Sequence, residues 1–304
     1  MSFTNTVKNE LVNIKLNRLE QISEMSGLLK NTLDVNSDFK ITTENSSVAK
    51  FIFKTIKNNY DVFINVSVIK GYNYNKNYIY VLDIHKNYNI ILNDLALKKV
   101  CPDSYLIDDE DLKRAYLRGV FMASGSINDP KKSQYHMEFI FNNLSYATFI
   151  NDFLNSYDLN SKCLKRDNRY MVYIKESEKI GDFLKLIGAV NAVLYYENIR
   201  IYRNKKNVLN RLNNCEQANV DKVIQTAKNQ IDDINYIKEQ GAFELLDDKV
   251  KDACIYRLKY PEVSLLELSK IMSLETNNPI TKSGLHHRFN KLKKLISNLK
   301  EKER

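Results

Sequence analysis

Apolar and polar positions change rhythm along this chain, and each rhythm predicts a different kind of element. Residues 1–17 place Val7, Leu11, Ile14 and Leu16 on one side and predict a helix, and a second helix follows over 19–30. Residues 38–43 read as a strand and 46–58 as a helix. Residues 61–70 and 78–85 are rich in β-branched and aromatic side chains and predict a hairpin that turns around Gly71, Asn73 and Asn75. A short helix over 90–98 closes the series. The order then recurs: a helix over 109–122 with Leu112, Ala115, Tyr116 and Gly119 on one face, a strand over 135–141, and a helix over 145–157. Strands over 161–165 and 170–175 join through Arg166-Asp-Asn-Arg169, and a helix covers 178–187. A unit of helix, strand, helix, two strands and helix therefore occurs twice, in about 90 residues each time.

Beyond residue 190 the β rhythm stops. Ile199, Tyr202, Val208, Leu212, Cys215, Val223, Ala227, Ile231 and Ile234 recur at helical spacing, with no glycine before Gly241, so 190–240 reads as one long helix or two. Residues 247–299 predict a compact helical unit. Its first helix spans 250–258 and stops before Pro261. Ser264-Leu-Leu-Glu267 is a capping box that opens a helix to about Met272. After Asn277-Asn-Pro279 a third helix carries Leu285, Phe289, Leu292 and Ile296. Three helices with a basic last member match a helix-turn-helix.

Composition sharpens this picture at three points. The chain has 304 residues, enough for two or three domains, and a net charge of +9. Between Thr281 and Lys300 lie Lys282, Arg288, Lys291, Lys293, Lys294 and Lys300 without a single acid, so the excess is focused on one predicted helix and favours an anionic partner. Cys101, Cys163, Cys215 and Cys254 are too far apart for a zinc pattern and read as reduced thiols. No stretch resembles a signal peptide or a membrane span, so a cytoplasmic, nucleoid-associated protein without membrane contact is expected.

The segment Leu117-Arg-Gly-Val-Phe-Met-Ala-Ser-Gly125 resembles a LAGLIDADG helix, the signature of one class of homing endonucleases. In that motif two helices pack at a pseudo-two-fold axis, and each delivers an acid to the catalytic metals. Gly119 and Ala123 suit close packing, and Gly125 is placed to end the helix in the left-handed conformation. Met25-Ser-Gly-Leu-Leu-Lys-Asn-Thr-Leu33 is the partner motif, with Gly27 matching Gly119. The acid positions hold Thr32 and Ser124, while Asp34 and Asp129 lie nearby but out of register. Two-metal cleavage needs carboxylates, so no catalytic residue and no metal ligand is assigned and no cofactor is expected.

Three segments resemble the WhiA family of bacterial sporulation and cell-division regulators. Arg114-Ala-Tyr-Leu-Arg-Gly-Val-Phe-Met-Ala-Ser-Gly-Ser-Ile127 with Tyr135-His-Met-Glu138 is similar to its second motif. Asn210-Arg-Leu-Asn-Asn-Cys-Glu-Gln-Ala-Asn219 is similar to its central signature. Pro261-Glu-Val-Ser-Leu-Leu-Glu-Leu268 with Ser283-Gly-Leu-His-His-Arg288 is similar to its helix-turn-helix, with an insertion at residues 275–279. The resemblance implies an α+β chain. A duplicated LAGLIDADG-type domain with pseudo-two-fold symmetry occupies 1–189, its repeats being 1–100 and 101–189. A helical linker occupies 190–240, and a small all-α helix-turn-helix domain occupies 241–304.

The function so implied is a non-catalytic, sequence-specific regulator of transcription that binds double-stranded DNA as a monomer or weak dimer, with a protein co-regulator as a second partner. Lys282, Ser283, His286, His287 and Arg288 are the candidates for the major groove, with Lys291 and Lys294 on phosphates. The adjacent His286 and His287 point in different directions and make a poor metal site. Arg211, Asn214 and Asn219 either touch DNA or fix a domain junction. Arg118 either pairs with an acid or touches phosphate. Arg166, Arg169 and Lys175 are either backbone contacts or solvated turn residues. Two alternatives stand beside this reading: a residual endonuclease, and a protein- or ligand-binding scaffold that meets DNA only through its last domain.

Overall fold

The computed structural model describes residues 2–34, 39–70, 78–132 and 134–302. Two compact units divide the chain, Met1–Arg203 and Asn204–Arg304.

The first unit opens with α1 (Phe3–Leu11), shorter than the sequence rhythm suggests because the chain turns after Leu11. The first repeat then runs α2 (Arg18–Thr32), β1 (Leu33–Asp34), β2 (Phe39–Thr43), α3 (Ser46–Asn59), β3 (Asn65–Lys70), β4 (Tyr78–Ile84) and α4 (Tyr88–Asp94). The second runs α5 (Glu110–Ser124), β5 (Gly125–Ile127), β6 (Met137–Phe141), α6 (Leu144–Asn155), β7 (Lys162–Arg166), β8 (Arg169–Ile174) and α7 (Ser177–Leu186). The strands form two antiparallel sheets of matching order, β1-β2-β4-β3 and β5-β6-β8-β7. The expected duplication is therefore present, with one strand more per repeat than the sequence pattern revealed. β1 and β5 follow their helices with no intervening turn residue, so no punctuation marks them. The turn expected at Gly71, Asn73 and Asn75 lies outside the described residues.

Helices α2 and α5 form the spine of this unit. Along α5 every residue from Ala115 to Met122 is buried, as in a helix surrounded by protein on all sides. The two backbones meet at Gly119 and Gly27. A Cβ on Gly119 would lie 2.8 Å from the Leu28 nitrogen and closer still to the Glu24 carbonyl oxygen, and one on Gly27 would lie 3.2 Å from the Val120 nitrogen. Gly125 corrects an expectation. Its φ of −79° and ψ of 143° are extended, not left-handed, and Leu33 occupies the matching place in the first repeat with φ −82° and ψ 128°. Space is what Gly125 supplies, because an added Cβ would crowd the Phe121 ring, with Cε2 at 2.8 Å. Phe121, Phe139 and Phe183 then build the core between α5, the second sheet and α7, their ring centres 5.6–6.2 Å apart.

Residues 190–239 form one helix, α8 (Val190–Glu239). Its N-terminal turns belong to the first unit and the remainder to the second. In the second unit Gly241, at φ 63°, turns the chain toward α9 (Asp248–Lys259). α10 (Leu265–Thr276) carries the expected Ser264–Glu267 capping box and ends at Asn277 in the left-handed region. α11 (Lys282–Lys302) follows. Ile234 and Ile237 of α8 join Val250, Cys254, Leu268, Met272, Leu285, Phe289 and Leu292 in a single core. Arg257 is fully buried there, bonded to Gln230 Oε1 at 3.0 Å and to the Val263 carbonyl at 2.7 Å.

Candidate nucleic-acid interface

At the ends of the motif helices the two repeats make the same local choice. Thr32 donates its hydroxyl to the Leu28 carbonyl at 3.1 Å, and Ser124 donates to the Val120 carbonyl at 3.0 Å. Each hydroxyl closes back on its own helix instead of facing outward. Asp129 accepts from the Lys131 backbone N–H at 2.9 Å, and the Asp34 side chain lies outside the described residues.

The neighbouring space belongs to α1. Thr4 donates to the Ile127 carbonyl at 2.9 Å and accepts from the Ile127 N–H at 2.9 Å, so the N-terminal helix is stitched to β5 beside Ser124. Lys8 lies 5.9 Å from the Phe121 ring centre, and burial lowers its amine to about 8, with Glu44 opposing. Glu10 accepts from the backbone N–H groups of Asn191 and Ala192, at 2.7 and 3.0 Å, and so caps the first turn of α8. A groove of about 1060 Å³ remains between these residues and the two sheets, lined by Asn5, Lys8, Thr43, Ser126 and Arg169 among others.

Arg118 resolves one alternative. It is buried and pairs with Glu24 of α2 at 3.6 Å. Neither Glu24 oxygen makes a hydrogen bond among the described residues, and burial pushes this carboxyl up to about 8 with Arg118 opposing in part. Arg118 is thus part of the spine, out of reach of phosphate.

The outer strands differ between the repeats. β7 exposes Lys162, Lys165 and Arg166, and the adjoining Arg169 is exposed across the turn at Asp167, whose φ is 54°. β3 exposes Val66, Val68 and Ile69 together with Asn65, Ser67 and Lys70. Arg166 and Arg169 face each other in the strand register. The Lys175 amine lies 5.0 Å from the Tyr173 ring centre.

In the second unit α11 packs Leu285, Phe289, Leu292 and Ile296 inward. Lys282, Ser283, His286, His287, Lys291 and Lys294 are exposed. Arg288 is half-buried and donates to the Lys249 carbonyl at 3.2 Å, and Lys291 pairs with Asp247 at 3.6 Å, so both tie α11 to the start of α9. Lys282, Lys293 and Lys294 carry no ion pair among the described residues. Lys300 sits 4.7 Å from the Tyr236 ring centre. Ser283, His287, Asn290 and Lys294 fall on one line at spacings of four, three and four residues. Asn290 was not singled out from sequence, although its helical register beside His287 and Lys294 marks it. The signature residues Arg211, Asn214 and Asn219 are all exposed on α8, where Asn219 lies 3.9 Å from Cys215 of its own helix and lines a groove with Pro261 and Glu262. Among the described residues no group of three or more His, Cys, Asp or Glu side chains converges, and no helix is long and apolar enough to cross a membrane.

Comparison with known proteins covers nearly the whole chain. Family models match in order: the WhiA N-terminal LAGLIDADG-like domain over 18–98, the WhiA LAGLIDADG-like domain over 113–206, and the WhiA C-terminal HTH domain over 209–296. A probable cell division protein WhiA from Clostridium botulinum is 37% identical, covering 99% of each chain. The Staphylococcus epidermidis protein of that name is 36% identical over 100% of this chain and 99% of its own. The crystal structure of full-length DUF199/WhiA from Thermatoga maritima aligns with a TM-score of 0.59 at 23% identity, covering 98% of this chain and 99% of the other.

Proposed function

The chain belongs to the WhiA family, and from that premise we propose that it is a sequence-specific, non-catalytic regulator of transcription that holds double-stranded DNA through α11 and acts on cell-division genes. The observation that carries this reading is the outward line of Ser283, His287, Asn290 and Lys294, flanked by Lys282 and bearing no acid. A helix with this face fits the major groove: the amide of Asn290 matches an adenine edge, and the lysines match phosphates. Arg288 and Lys291 contribute to this face only by exchanging their contacts to α9. That exchange costs little for an exposed pair such as Lys291–Asp247.

The first unit adds backbone contact through Lys162, Lys165, Arg166 and Arg169, where β7 carries more cations than β3, whose exposed residues are Lys70 beside Asn65, Val66, Ser67, Val68 and Ile69. Arg211 extends the contact along α8. Cleavage finds no support, since hydroxyls that bond their own helix stand where the resemblance calls for metal-binding acids. The expected setting is the nucleoid.

Two assays test the proposal. The full-length protein should enrich a defined sequence from a pool of random duplexes, and Lys282→Ala with Lys294→Ala should weaken binding to it. Enrichment of no sequence, or undiminished binding by the double variant, contradicts the reading. Supercoiled plasmid incubated with the protein and Mg²⁺ should stay intact, and nicking lost in Ser124→Ala would overturn the non-catalytic assignment.

A further inference from the structure

Residues 204–222 of α8 are exposed on every side, yet they carry apolar bulk. Val208, Leu209, Leu212 and Val220 are each more than half exposed. These residues continue a face that is buried farther along the same helix, where Ala227, Gln230, Ile234 and Ile237 are covered. The face also has a regular register. Tyr202, Lys205, Leu209, Leu212, Glu216, Asn219 and Val223 alternate at spacings of three and four residues, the seam of a two-stranded coiled coil. From Tyr202 to Asn219 this seam is about 27 Å long.

Charge then selects the occupant and its direction. Over 204–211 the helix carries Lys205, Lys206 and Arg211 and no acid, whereas over 212–221 it carries Glu216 and Asp221 and no base. Two parallel copies would set Lys205 against Lys205 and Glu216 against Glu216. Two antiparallel copies set Leu209 against Leu212, Lys205 against Glu216 and Tyr202 against Asn219, twice each about one axis. We propose that this stretch of α8 is a self-association surface, on which a second copy of the chain pairs antiparallel with Leu209 and Leu212 at the centre. The pairing would bring two copies of α11 into one assembly, the usual number for helix-turn-helix proteins that read two half-sites. It stands independently of whether α11 binds DNA.

Sedimentation equilibrium of the full-length protein tests the association. A monomer–dimer equilibrium is expected, with Glu216→Lys weakening it at least ~tenfold by setting lysines against each other, and Lys205→Glu combined with Glu216→Lys restoring it. A protein that stays monomeric, or a Glu216→Lys variant that dimerises as tightly as the parent, overturns the proposal. Cysteine crosslinking in a Cys215→Ser background tests the direction. A mixture of Leu209→Cys and Leu212→Cys proteins should form an interchain disulfide that neither forms alone. Disulfides in each single variant would mean parallel pairing and would overturn it equally, and circular dichroism establishes that every variant is folded.

Discussion

Helices α5 and α11 both place charged and hydroxyl side chains on an apolar framework, and they use them in opposite ways. In α5 the fold absorbs the polar groups: Arg118 meets Glu24, and the Ser124 hydroxyl returns to the Val120 carbonyl. In α11 the polar line of Ser283, His287, Asn290 and Lys294 is exposed to solvent. The glycines follow the same division. Gly119 exists because another backbone occupies the place of its side chain, whereas Gly284 has only the Thr281 hydroxyl nearby, at 3.3 Å. A motif that once suggested chemistry is thus read as architecture when its polar atoms are consumed locally, and a plain basic helix is read as a surface when they are not.

The largest test of this contrast is Gly119→Val, which drives a side chain into the Glu24 carbonyl and should destabilise the first unit by about 3 kcal/mol or more, measured by chemical denaturation. Next comes the pH dependence of the spine. Glu24 keeps its proton in the folded protein up to about 8, whereas the unfolded chain loses it near 4.5. Its contribution to stability is therefore fully present below the lower value and is lost as pH rises toward the upper one. Glu24→Gln should remove that fall from the stability profile, and a profile unchanged by the substitution would show that Glu24 is ionised throughout. On the other helix, Asn290→Ala should leave stability alone and relax base preference at one position by about 1–3 kcal/mol, read by competition between duplexes. The smallest effect belongs to Gly284→Ala, expected to shift stability by less than about 1 kcal/mol.

The repeated order of helices and strands was legible because hydrophobic period and turn residues are local signals. The Ser264–Glu267 box placed the start of α10 for the same reason, whereas the helix runs on to Thr276, past the expected end near Met272, until Asn277 turns it in the left-handed region. β1 and β5 were not legible, since Thr32 leads into its strand with no break in the pattern and Ser124 leads into its strand through a glycine that reads only as a helix end. Gly125 misled because a glycine after a helix suggests a left-handed cap, whereas its cause is the Phe121 ring, a contact that sequence spacing does not encode. The basic character of α11 was plain from charge alone. Which of its cations face outward depended on the start of α9, where Lys249 and Asp247 take up Arg288 and Lys291. The seating of α1 beside Ser124 carried no signal, because the partners of Phe3, Thr4 and Lys8, among them Tyr195, Ile127 and Phe121, lie far away in the chain.

The central claim is that α11 holds DNA while the motif helices only hold the fold. Its most direct test is the salt dependence of DNA affinity for the full-length protein and for the variant carrying Lys282→Ala, Lys291→Ala and Lys294→Ala, with thermal stability measured alongside. The account predicts an unchanged melting temperature and a log–log slope shallower by about 0.9 for each phosphate contact removed. Equal affinity and equal slope in the two proteins would contradict it.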